Sequence, residues 1–104
     1  MNTELTEKTA ELAACINSLV VHHPGKCRRQ LLVLQDQLAK LELLIIVKEL
    51  KAEHEAYQSA IAGINQAIDS IGEAEKKIIK INEAIYGIAH AIDSIARALV
   101  DAVI

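Results

Sequence analysis

The chain has 104 residues, about half of them apolar, but only two aromatics, Tyr57 and Tyr86, and a net charge of −3 with its histidines neutral. That length suits one small domain with a modest, aliphatic core. An acidic balance without aromatic stacking platforms argues against nucleic acid as a partner, and charges interrupt every 18-residue window, which argues against a membrane span.

The first stretch, MNTELTEKTAEL, is acidic and carries no apolar h-region, so no signal peptide is expected. Residues 3 to 21 read as a helix. Leu5, Leu12, Ile16, Leu19 and Val20 fall on one side with Thr9 filling a gap, while Glu4, Glu7, Lys8 and Glu11 face away. Acidic residues in its first turns suit the helix dipole, and Asn2 or Thr3 is placed to cap it.

Residues 22 to 26, His-His-Pro-Gly-Lys, form a turn around the only proline. The turn carries a basic cluster: His22, His23, Lys26, Arg28 and Arg29. Cations are disfavoured at a helix start, so their presence there, beside exposed amides, points to a site for a small anionic ligand such as phosphate or a nucleotide. The competing reading is a solvated loop, and no Gly-rich phosphate motif accompanies the cluster.

Cys15 and Cys27 flank this turn. Cys15 lies roughly 9 Å from the end of its helix and Cys27 starts the next, a height mismatch that a disulfide does not span. Two free thiols and a cytoplasmic location are therefore expected.

A long second helix is predicted over residues 27 to 69, since no glycine or proline interrupts it before Gly63. Leu31, Leu34, Leu38, Leu41 and Ile45 make one stripe; Leu43, Ile46 and Leu50 make a second. The segment Leu41 to Leu50, LELLIIVKEL, is apolar around most of the helix. Leu41, Leu43, Leu44, Ile45, Ile46, Val47 and Leu50 need neighbours on several sides. Farther on, Ile61, Ile64, Ile68 and Ile71 form a ladder that changes phase near Gly72. Ser70-Ile71-Gly72-Glu73 matches a capping box, so a third helix is predicted over residues 71 to 104. A continuous helix with a stammer is the alternative.

Residues 60 to 74, AIAGINQAIDSIGEA, resemble residues 84 to 98, AIYGIAHAIDSIARA, at ten of fifteen positions. Each copy carries a glycine, Gly63 or Gly87, that would permit close helix approach at the cost of helix stability.

The expected fold is all-α: a short N-terminal helix and two long antiparallel helices, elongated and about two helices thick. Such a layer leaves apolar stripes open to water. Two repairs exist. Either the long helix breaks near residues 51 to 55 and the pieces form a four-helix bundle, or copies associate through Leu41 to Leu50. Association is favoured, because KELKAEHEAY is rich in helix formers.

A fold near residue 72 would bring His54 level with His90 and Tyr57 level with Tyr86, a layer suited to a small ligand or to plain packing. Neither histidine belongs to an HExxH or ExxH pattern, and neither cysteine has a supporting histidine and carboxylate. No catalytic residue, metal or cofactor is expected. The C-terminal segment, apolar on one side, reads as packing against another helix, with contact to a membrane surface less favoured for want of basic residues. The leading function is that of a non-enzymatic helical interaction protein, an adaptor, inhibitor or structural subunit, most readily a homo-oligomer with a protein partner. The alternatives are a protein that sequesters a small anionic ligand and a membrane-active helical protein.

Overall fold

A computed structural model describes residues 3–22, 25–48, 50–51 and 53–101. It is all-helical among these residues, with α1 at Thr3–His22, α2 at Lys26–Val47, α3 at Glu55–Glu75 and α4 at Ile81–Asp101. α1 packs on α2 and α3, and α4 packs on the same two helices, so α1 and α4 stand on one diagonal of a square and α2 and α3 on the other. Three cross-helix contacts set the directions. The Tyr57 hydroxyl meets the Leu5 N–H, and Ser18 reaches Glu75, so α1 and α3 run parallel. Cys27 Sγ reaches Asn82 Oδ1, so α2 and α4 run parallel in the opposite sense. The end of α2 and the start of α3 therefore lie at diagonal corners of the bundle.

The first helix follows its expected pattern: Leu5, Thr9, Leu12, Ile16, Leu19 and Val20 are all buried. Thr9 is the one buried polar residue among those described, and its hydroxyl donates to the Leu5 carbonyl one turn back at 2.6 Å.

The second helix is shorter than the uninterrupted 27–69 expected. α2 leaves helical geometry at Lys48, which is extended, and α3 restarts behind His54, whose Nδ1 accepts from the Ala56 N–H at 3.3 Å. Helix propensity over this stretch is worth a few tenths of a kcal/mol per residue. Each Leu or Ile side chain buried contributes about 1.5–3 kcal/mol, so folding α3 back along α1 outweighs keeping one long rod. Leu50, inside the link, is buried and plugs the end of the core. The result measures 40 × 22 × 18 Å, two helices by two in cross-section, rather than a rod two helices thick.

The second boundary is displaced as well. Ser70 and Glu73 lie inside α3, which runs on to Glu75, so the expected start of a helix at residue 71 is corrected to Ile81. The stop is a Schellman motif. Ile78 N–H donates to the Glu73 carbonyl, Lys77 N–H donates to the Ala74 carbonyl, and Lys77 takes the left-handed position at φ 63°. This turn accounts for the phase change in the isoleucine ladder.

The internal repeat has a structural counterpart in the α3–α4 pair. A Cβ on Gly63 would stand 3.4 Å from Ser94 Oγ and 3.5 Å from Ala91 Cα; one on Gly87 would stand 3.5 Å from Ser70 Oγ and 3.7 Å from Ala67 Cα. Gly63, Ala67 and Ser70 are the repeat equivalents of Gly87, Ala91 and Ser94. The two copies thus pack antiparallel about a local twofold, small residues against small residues. Ile64, Ile71, Ile88 and Ile95 point into the shared core.

Candidate interaction surface

The Leu41 to Leu50 segment divides sharply on folding. Ile45 and Leu50 enter the core of the chain's own bundle, and Leu41 is half-buried against it. Leu43, Ile46 and Val47 remain 68%, 69% and 75% exposed, and Leu44 is exposed beside them. The cause is geometric. Among the described helices α2 packs on α1 and α4, which cover a stripe centred on Leu31, Leu38 and Ile45, and a residue two positions from Ile45 is turned about 200° away from it. Leu32 and Val33, one helical face round from Leu31, are exposed higher on the same helix. The sequence reading missed them because they sit outside the leucine stripe.

Between these two apolar groups lies one ion pair, Lys40 to Asp36 at 3.2 Å, both side chains solvated. Outside α2, the large exposed apolar side chains among the described residues are Val21, Ile78, Tyr86 and Val100. Beside the α2 patch, Glu42 faces α1 across a small hollow lined by Thr6, Thr9, Ala10, Ile45 and Ile46. Desolvation there raises its carboxyl above the ordinary value of 4.5.

Of the basic cluster, the side chains of His22, Arg28 and Arg29 are described. His22 Nδ1 lies 3.3 Å from Ser18 Oγ and 3.7 Å from the Glu75 carboxylate, so a neighbouring acid already faces it. Arg28 and Arg29 are exposed, and consecutive residues diverge by about 100° around the helix. His23 and the Lys26 side chain lie outside the described residues.

The four residues expected to share a layer are separated. Because the chain folds at Lys76 to Lys80 rather than at residue 72, Gly63 faces Ala91 and Ser94, and His90 comes level with Gln66. His54 lies a further eleven or so residues along, roughly 17 Å away. Both histidines still line one groove of about 530 Å³ on the outer side of the α3–α4 seam, together with Ser59, Gln66, Arg97 and Asp101. Tyr57 is buried and serves the core. Tyr86 is exposed on the outer side of α4. Arg97 in the groove is bonded to Asp93 at 3.2 Å. Ala62, which also lines the groove, occupies in the first copy of the repeat the position that Tyr86 occupies in the second.

Cys15 and Cys27 are free and half-buried. Burial raises the Cys15 thiol above its ordinary range, with Glu11 and Glu75 adding to the effect, which makes it a poor nucleophile. Among the described residues no group of three His, Cys, Asp or Glu side chains is placed to hold a metal ion, and no helix is long and apolar enough to cross a membrane. No protein-family model, curated protein or solved structure matches this chain.

Proposed function

We propose that this chain is a non-enzymatic helical interaction protein whose working surface is the outward face of α2. What supports the reading is the grouping of Leu43, Leu44, Ile46 and Val47 in the last turns of one helix, four large apolar side chains exposed within five residues, a density not matched elsewhere among the described residues. Scattered exposed apolar side chains are ordinary; a contiguous group several side chains wide marks a contact surface. Presented on a helix of 22 residues with a rigid bundle behind it, such a group suits helix-on-helix docking read at i, i+3, i+4 spacing.

The test is photo-crosslinking in the source cell, with a photoreactive side chain at Lys40 on α2 or, as control, at Glu11 on α1. The reading expects protein adducts from position 40 and few from position 11. Equal yields from both positions, or none from position 40, would overturn it.

A further inference from the structure

We infer that the occupant of this α2 surface is a second copy of the chain, its α2 laid antiparallel across the first about a twofold axis passing between Asp36 and Leu43. The inference rests on the reading of α2 as the contact surface and adds the partner. Two observations carry it.

The first is the order of residues along the exposed face. At 100° per residue, Leu32, Val33, Asp36, Lys40, Leu43 and Val47 fall within an arc of about 100°. Reading down the helix gives an apolar pair, an acid, a base and an apolar pair. A parallel partner would set Asp36 against Asp36 and Lys40 against Lys40. An antiparallel one sets Leu32 against Val47 of the second copy and Asp36 beside its Leu43, and brings Asp36 within one helical turn of Lys40 of the second copy. The intrachain pair of 3.2 Å is thus supplemented twice, once on each side of the axis, which is the self-complementarity that a twofold contact requires.

The second is reach. The exposed apolar groups of α2, from Leu32 to Val47, are spread over roughly 22 Å of its length, enough for a helix pair rather than a single pocket.

Two measurements on the full-length chain test this. Light scattering over a concentration series is expected to give twice 11.3 kDa, with Leu43→Lys weakening the association at least about tenfold. Asp36→Lys and Lys40→Asp are each expected to weaken it as well, and mixing these two variants should restore a dimer. Circular dichroism and the melting temperature confirm that each variant folds. Orientation is read by oxidation in a Cys15→Ser, Cys27→Ser background. Lys40→Cys should form a disulfide dimer, because the axis passes beside it. Arg29→Cys should not, because in an antiparallel pair its two copies stand roughly 30 Å apart. Disulfide formation by Arg29→Cys, or a monomeric mass at the highest soluble concentration, would overturn the inference. Adducts from position 40 to other proteins, alongside a monomeric mass, would leave the α2 surface standing and remove the second copy from it.

Discussion

The Tyr57 hydroxyl accepts a hydrogen bond from the backbone N–H of Leu5 at 3.2 Å. Leu5 is the third residue of α1, one of the opening positions whose N–H finds no partner within its own helix. A side chain 52 residues away does what a serine or aspartate cap does locally, and it ties the first turn of α1 to the first turn of α3. Both Tyr57 and Leu5 are buried, so water cannot replace the bond. Tyr57→Phe keeps the ring in the core and removes only the acceptor. We expect a loss of about 1–2 kcal/mol, read as a lower urea midpoint at unchanged slope, with faster amide exchange at Leu5. An unchanged midpoint would mean that the first turn is held by other contacts.

The local twofold of α3 and α4 makes a paired prediction. At Gly63 and Gly87 the nearest atoms across the seam would lie 3.4 Å and 3.5 Å from an added Cβ, which is ordinary contact. Alanine is worth roughly 0.5–1 kcal/mol more than glycine in a helix interior. Gly63→Ala and Gly87→Ala should therefore each raise stability by about that amount, and by similar amounts. Leucine at either position would force the helices apart and cost about 1–3 kcal/mol. Thermal melts of the four variants decide it; strongly unequal effects at the two glycines would show that the symmetry is confined to the backbone.

How much of this was legible beforehand follows from which interactions are local. The buried face of α1 was readable residue by residue, because one stripe meets one neighbouring face. The all-helical class was readable for the same reason. The break at Lys48 to His54 was not the favoured reading, because the segment Lys48-Glu49-Leu50-Lys51 contains no breaker. Only the burial of Leu50 and the packing of Tyr57 under Leu5, both long-range, decide against the rod. The capping box at Ser70 misled, since an S-x-x-E pattern inside a well-packed helix costs nothing. The true stop at Lys77 had no glycine to announce it. The fold point then moved, and with it the layer of His54, Tyr57, Tyr86 and His90 came apart. The greasy segment from Leu41 to Leu50 was identified as one surface, whereas folding assigns Ile45 and Leu50 to the inside and Leu43, Ile46 and Val47 to the outside.

Lys77 is the one residue other than glycine at positive φ among the described residues. Left-handed geometry costs an L-residue roughly 1–2 kcal/mol, and glycine is the usual occupant of this position in a Schellman motif. Replacing Lys77 by glycine removes that strain but enlarges the freedom of the unfolded chain, which returns about 0.4–1 kcal/mol. The net expectation for Lys77→Gly is a gain of about 0.5–1 kcal/mol, seen as a rise in melting temperature. Lys77→Val, β-branched and poorly suited to positive φ, should lower it. If glycine and valine melted at the same temperature, the turn would not be the constraint argued here.

Glu42 supplies the pH dependence. Desolvation raises its folded-state carboxyl above the ordinary 4.5, so the native chain holds this proton to higher pH than the unfolded chain does. Native proton binding exceeds unfolded binding within that window, and stability through this group falls as pH rises. Its contribution is fully present below about pH 4.5 and is lost as the pH passes the raised value, leaving a desolvated carboxylate beside Thr6, Ala10 and Ile46 at neutral pH. Glu42→Gln keeps the shape and removes the charge. At pH 7 it should raise stability by roughly 0.5 kcal/mol or less, and the advantage over the parent should shrink as the pH falls through that window. Urea midpoints of the two proteins at pH 7 and pH 4 measure it directly. Because all other carboxylates are common to both, their own titration cancels in the difference, and a pH-independent difference would show that Glu42 is as well solvated in the bundle as in the unfolded chain.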